Sequence, residues 1–276
     1  MNEIFFNKDE NFQLIQKSNV LYISSEKITK TYPINFGFTT RIGGVSSGGF
    51  RSLNLYFKND DKNKVKQNFQ LLFNDIGVSG MSIAASEQVH SNEVKFIEKS
   101  DIENDKFINI IPGVDGLITQ ESNLMLLSFY ADCIPVFMFD KNNNTIGTIH
   151  SGWRSTSENI IKNAIDMIKK TANSKPENLF FAIGPSIDQD NFEVDEDVIE
   201  NFKENKQIDN LVYFRDGNKY KIDLTGTLIN QLLSEQIPLK NIMKLELSTF
   251  LNEELFYSFR RDGAPIGEHV LFAYKS

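Results

Sequence analysis

Apolar positions along this chain repeat at two periods. Val65, Phe69, Leu72, Phe73 and Ile76 recur at helical spacing between Asp61 and a stop at Gly77. Ile160, Ile161, Ala164, Ile165 and Ile168 form a second helical stripe, with Ser155, Thr156 or Ser157 as its cap and Lys169 and Lys170 in its last turn. Further helices are expected near Asp195 to Lys203 and Thr225 to Leu233. Short runs rich in β-branched and aromatic residues read as strands: Leu21 to Ile23, Ile34 to Phe38, Leu117 to Thr119, Val136 to Phe139, Thr145 to Ile149, Phe180 to Ile183, Val212 to Phe214, Lys244 to Leu247 and Val270 to Tyr274. The alternation in Glu87 to Val94 suits a strand or its end. Hairpin neighbours mixed with helices, in no strict βαβ order, predict an α+β fold with mixed β-sheets covered by helices. No repeat, linker or low-complexity tract divides the 276 residues, so one domain over 1–276 is expected.

One hairpin carries chemistry. Lys141 to Asn144 forms the turn between Val136–Phe139 and Thr145–Ile149. If Asp140 pairs with Thr145, His150 falls opposite Pro135, with Cys133 two residues further on. A thiol and an imidazole so placed reach one site when they face the same side. Pro135 has no N–H for a ladder, so regular pairing is expected to stop there and free Asp132 and Cys133 to turn inward.

The formal net charge of −8, from 29 basic and 37 acidic residues spread along the chain, argues against a nucleic-acid partner. Small anions remain candidates through local patches. Met1 to Glu10 lacks the pattern of a signal peptide, and no run reaches the roughly 18 apolar residues of a membrane span. A single cysteine excludes an internal disulfide and suits a reducing cytoplasm. The oligomeric state is left open.

Two of the three histidines, His90 and His150, stand with Cys133 in strand-like contexts. Two imidazoles and a thiolate suit zinc, and three protein ligands leave one tetrahedral position open, as in a catalytic site. No CxxC or HExxH spacing is present. A glycine-rich loop, Ile42 to Gly49, lies between Arg41 and Arg51 and offers backbone N–H groups to an anion. It is not a Walker loop, since Gly49-Phe50 stands where Lys-Ser or Lys-Thr is required. Pro112-Gly113-Val114-Asp115-Gly116 forms a tight turn before its strand.

Several short motifs coincide in order from about Phe36 to the end. They are Thr39-Thr40-Arg41 with Gly43-Gly44-Val45-Ser46, Leu53-Asn54-Leu55, Gln88-Val89-His90, Gly113-Val114-Asp115-Gly116, Ala131-Asp132-Cys133, His150 to Arg154, and Ile183-Gly184-Pro185. In these the chain resembles the laccase-domain proteins, the YfiH-like multicopper polyphenol oxidase family. The resemblance implies a fold shared with YfiH and with the catalytic domain of cytotoxic necrotising factor. It implies a purine nucleoside phosphorylase acting on adenosine, inosine and methylthioadenosine, with adenosine deaminase activity at the same zinc site. It also implies His90, Cys133 and His150 as the metal ligands, with copper a less favoured occupant.

Phosphorolysis requires inorganic phosphate held in line with the glycosidic carbon. Arg41 with Gly43, Gly44 and Ser46, together with Arg154 or Arg260 and Arg261, is the expected phosphate site. Deamination requires an acid/base group, for which Asp132 and Asp115 both stand as candidates. The chain departs from the family after Arg260-Arg261-Asp262-Gly263, where the usual Thr-Gly-Arg gives way to Pro265-Ile266-Gly267-Glu268-His269. His269 reads as a local variant rather than a fourth ligand. Two other readings compete. One is a metal-free hydrolase or deamidase with Cys133 as nucleophile and His150 as base. The other, copper-dependent phenol oxidation, calls for more histidines than three.

Overall fold

The computed structural model describes residues 11–275; Met1 to Glu10, on which the expectation of no signal peptide rests, lie outside them. The α+β reading holds. A seven-stranded mixed sheet runs in the order Gln13–Gln16, Leu21–Ser24, Ile34–Thr39, His269–Lys275, Leu124–Tyr130, Ser82–Ser86, Asn109–Ile111. A six-stranded mixed sheet runs Ile242–Lys244, Leu179–Ile183, Ile134–Asp140, Thr145–Ser151, Gly116–Thr119, Val94–Ile97. A small antiparallel sheet joins Glu193–Val194, Lys219–Asp223 and Val212–Asp216.

Side-chain alternation explains the layering. Leu124 and Leu126 share a core with Phe36, Phe38, Phe137 and Phe139, so the two large sheets pack face to face. Phe36 and Phe137 stack across that interface with centroids 4.3 Å apart. Met125, Leu127 and Phe129 point the other way, onto Val65, Phe69 and Leu72 of the Lys62–Ile76 helix. On the far side, Val136, Met138 and Ile149 meet the helices Ile160–Ala172, Glu196–Glu204 and Leu224–Ser234. Both faces of each large sheet are therefore covered, which is why Leu124–Tyr130 is buried at every position and carries no polar alternation for a sequence reader to find.

The expected hairpin register is present: Asp140 pairs with Thr145 and Pro135 with His150. Pairing continues one step further, to Ile134 and Ser151. The Pro135 carbonyl accepts from Gly184 N–H, so its missing N–H also faces the Leu179–Ile183 side, where the ladder has already ended at Val136. No bond to the Thr145–Ser151 strand is lost. Asp61 caps the Lys62–Ile76 helix by accepting from Asn63 N–H, and Gly77 ends it at φ 72°.

Three further expectations change. The second helix is capped by Asn159, whose side chain accepts from Lys162 N–H at a φ of 56°, while Ser155 to Ser157 belong to a separate short helix, Trp153–Ser157. Asparagine tolerates the left-handed turn between these helices better than serine or threonine does. Glu87 to Val94 is not a strand: Gln88 and His90 adopt φ of 62° and 61°, and extended structure resumes only at Val94. The strand expected at Lys244 to Leu247 occupies Ile242–Lys244 instead, where it lies parallel to Leu179–Ile183.

Candidate active site

The strands Ser82–Ser86, Asn109–Ile111 and Leu124–Tyr130 run parallel in the first sheet and so end at the same edge. From that edge each passes the chain directly into the second sheet. The three crossings deliver His90, Asp115 and Cys133. His150 is the penultimate residue of the Thr145–Ser151 strand, which runs antiparallel to its neighbours and ends where they begin. Its N–H donates to the Asp115 carbonyl at 2.8 Å.

The ligand atoms of His90, Cys133 and His150 all lie within 4.8 Å of one another. Cys133 Sγ is 3.9 Å from His90 Nε2, and the two imidazoles meet edge to face with centroids 4.9 Å apart. Tetrahedral zinc with N and S ligands has edges of about 3.5 Å, so the set closes on a metal with little movement. Gly152 makes this approach possible, since a Cβ there would lie 3.0 Å from His90 Cδ2 and 3.1 Å from Cys133 Sγ.

Asp115 holds the centre from behind. Wholly buried, it accepts from His90 N–H (3.0 Å), Ser91 N–H (2.8 Å), Ser91 Oγ (3.1 Å) and His150 Nδ1 (2.9 Å). Its bond to Nδ1 fixes the ring and leaves Nε2 as the free nitrogen. Burial pushes the Asp115 carboxyl up, but the bonds from His150 and Ser91 hold it below its usual value. Burial would likewise raise the Cys133 thiol; the charges of His150 and His90 outweigh it and favour the thiolate. For His150 burial works downward, and Cys133 with Asp115 reverse it to favour the cation. The protein alone thus favours the thiolate, the form a metal binds.

A cavity of about 540 Å³ opens over this centre. Its wall includes Asp132, Arg154 and Arg260 from the expected set. Arg154 stacks on Trp153 with its guanidinium carbon 4.2 Å from the ring centroid, and makes no side-chain hydrogen bond among the described residues. Arg260 uses Nη1 on the carbonyls of Asn191 and Glu193, and its other guanidinium nitrogens make no hydrogen bond among the described residues.

The glycine-rich loop does not join the cavity wall. Arg41 spends its guanidinium on the carbonyls of Arg51 and Glu253 and lies over the Tyr257 ring. Ser46 donates to Asp60, while Gly43 and Gly44 press against the backbones of Asn19 and Ser52. Arg261 is similarly committed, to the carbonyls of Thr249, Phe250 and Phe256 and to Asp262. Of the expected phosphate cradle, Arg41, Gly43, Gly44, Ser46 and Arg261 thus lie outside the cavity lining and are engaged with other parts of the chain. Asp132 also has a bracing task. Its carboxylate accepts from Thr249 Oγ1, Ser258 Oγ and Arg260 N–H, tying the Cys133 crossing to the C-terminal segment. Burial raises its pKa against the pull of those donors.

Sequence reading missed Glu268 and Lys58, which both line the cavity. The signal for Glu268 was present in the stretch that departs from the family pattern. Its neighbour His269 is buried and neutral, with Nδ1 donating to the Tyr130 carbonyl (3.1 Å) and Nε2 accepting from Tyr257 N–H (3.0 Å). Burial lowers its pKa from 6.5 to about 3. A histidine depressed in the folded state contributes stability above pH 6.5 that is lost as pH falls toward 3, because only the unfolded chain takes up the proton in that window. The expected slope is at most about 1.4 kcal/mol per pH unit. Urea denaturation from pH 7 to 4 should show a shallower decline for His269→Gln than for the wild type. An equally steep decline would assign the effect elsewhere.

A family model described as multi-copper polyphenol oxidoreductase laccase matches residues 35–275. The purine nucleoside phosphorylase YlmD of Geobacillus stearothermophilus is 31% identical over 241 residues, covering 86% of this chain and 88% of the relative. A purine nucleoside phosphorylase of Staphylococcus epidermidis is 33% identical over 246 residues, 87% of this chain and 90% of the relative. The crystal structure of the Geobacillus YlmD superposes with a TM-score of 0.85 at 27% identity, covering 95% of this chain and 98% of that one. A Bacillus licheniformis protein titled hypothetical protein YfiH gives 0.85 at 25% identity, covering 96% and 99%.

Proposed function

The chain belongs to the multi-copper polyphenol oxidoreductase laccase family, and from that premise we propose that it is a cytoplasmic, zinc-dependent purine nucleoside phosphorylase that also deaminates adenosine. Adenosine, inosine and methylthioadenosine are its proposed nucleosides, with inorganic phosphate as the co-substrate. One observation carries the reading: a single cavity joins an open His-Cys-His centre to two arginines with free donor nitrogens. The relatives named as purine nucleoside phosphorylases support it. Three ligands of one centre fit one metal, and His269, the remaining histidine, is bonded on both nitrogens elsewhere. That count supports the nucleoside chemistry over multicopper oxidation.

In this reading Arg154 and Arg260 hold phosphate, supplying the planar donors that bind oxyanions well. Asp115 keeps His150 oriented with Nε2 toward the centre, and Gly152 leaves room for the thiolate. A zinc ion held by His90, Cys133 and His150 would supply Lewis acidity and acidify a water at neutral pH. The aromatic faces of Trp153 and Phe192 carry the two arginines and hold each guanidinium by a cation–π contact.

The test is product analysis of adenosine incubated with and without phosphate. Adenine and ribose 1-phosphate are expected only with phosphate, while conversion to inosine should not depend on it. Adenine and free ribose in the absence of phosphate would make the protein a nucleoside hydrolase.

The geometry also favours a second reading. Cys133, His150 and Asp115 form a thiol–imidazole–carboxylate series of the kind used by metal-free hydrolases. His90 has no task in that scheme. Metal content decides between them.

A further inference from the structure

Glu268 places a carboxylate in the cavity wall for which the fold has no use. Its backbone is held firmly: its N–H donates to Asn54 Oδ1 at 3.0 Å, and its carbonyl accepts from Leu55 N–H at 3.1 Å. The carboxylate itself receives no hydrogen bond and enters no ion pair among the described residues. Burial lifts its pKa to about 7, and the charges that act on it belong to His150, Cys133, His90 and Lys58. It shares one cavity with the His-Cys-His centre, and its acceptor oxygens have no partner among the described residues.

The lining falls into two sets. One is built from residues 54–59 and 264–268, joined by the two bonds of Glu268 to Asn54 and Leu55, and it carries the carboxylate with Lys58 near it. The other contains Trp153, Ile187 and Phe192, packed in one apolar cluster, with Arg154 on Trp153 and Arg260 bonded to the carbonyls of Asn191 and Glu193. Phosphate belongs with the arginines, because two planar guanidiniums bind an oxyanion better than one ammonium beside a carboxylate that repels it. The glycosidic carbon and the ribose hydroxyls beside it must lie at that same end. The base then extends toward Glu268 and the centre, and its donors are the ones that meet the open oxygens.

We propose that Glu268 reads the purine by accepting a hydrogen bond from its 6-amino group, making 6-aminopurine nucleosides the preferred substrates of this site. The inference rests on the phosphorylase and deaminase reading above, in which carbon 6 of the base faces the metal centre. A 6-amino group beside a carboxylate forms a charge-assisted bond, whereas purine riboside, with hydrogen at position 6, leaves the half-buried carboxylate without a partner.

The test is calorimetric binding of adenosine and purine riboside to metal-free wild type, Glu268→Ala and Glu268→Gln in the absence of phosphate, so that neither phosphorolysis nor zinc-dependent deamination proceeds. Wild type is expected to hold adenosine at least about tenfold more tightly than purine riboside. In Glu268→Ala that advantage should fall to within about threefold, with purine riboside bound no more weakly than by wild type. Glu268→Gln keeps an uncharged acceptor and should retain part of the advantage, so it carries the test if the alanine variant does not fold. Equal loss of both ligands, or an undiminished advantage for adenosine, would overturn the proposal. Absence of phosphate-dependent cleavage by wild type would remove the phosphorylase reading instead, and the binding comparison would still judge Glu268.

Discussion

Cys133→Ala is expected to lose its metal and to reduce turnover by roughly 10²- to 10³-fold or more. The thiolate is the one anionic member of the ligand set, and the two imidazoles that remain are a weak site by themselves. Its removal also takes away one of the two partners that raise the His150 pKa, leaving Asp115 alone against burial. Little should happen to the fold. Cys133 is only half-buried and sits in a crossing whose shape is set by Asp132, with both carboxylate oxygens engaged by other residues. With both proteins stripped of metal, the melting temperatures should correspond to a difference of about 1 kcal/mol or less. Elemental analysis and steady-state rates check the first part, and calorimetry the second. Stoichiometric zinc in the variant would sink the ligand assignment. Full activity of chelated wild-type protein would transfer the chemistry to the metal-free Cys-His reading.

Asp115→Ala should damage stability and metal affinity together. Its carboxylate receives two backbone N–H groups, one hydroxyl and one imidazole, and of these only the hydroxyl has a second acceptor among the described residues, the Gly113 carbonyl at 3.5 Å. Leaving such donors without a partner, beside a histidine that is stabilised as a cation, is expected to cost about 3–5 kcal/mol. The His90 loop depends on this residue because both of its left-handed turns lie where no strand pairing holds the backbone. Freed from Asp115, His150 can rotate, and metal affinity should fall roughly 10- to 100-fold. Urea denaturation of the metal-free protein measures the first effect, and competition with a chelator the second. A variant that unfolds early but binds metal normally would restrict Asp115 to a structural task.

Much of this arrangement is legible in the chain itself. The 3.6-residue period between Asp61 and Gly77, with an acceptor side chain before it and a glycine after it, is a local property and survives unchanged in the fold. So is the hairpin from Ile134 to Ser151, whose turn sets its register and so places His150 opposite Pro135. The chain holds one cysteine and three histidines, and the motifs around Cys133, His90 and His150 singled out the cluster that the structure assembles.

Other features had no local trace. Glu87 to Val94 carries the alternation of a strand, yet its conformation is set by Asp115, which binds the His90 and Ser91 amides from outside the segment. The glycine-rich loop looked like an anion cradle, and Arg41 looked free, until the fold brought the Glu253 carbonyl to its guanidinium from 212 positions away. Glu268 could not be placed in a cavity without knowing that its segment packs beside Asn54 and Leu55. The sequence alone thus determined the periodic elements, the register of the central hairpin and the identity of the residues able to hold a metal. Only the tertiary structure decided which charged groups face the cavity, because that depends on three parallel strands, distant in the chain, ending at one edge and crossing together into the second sheet.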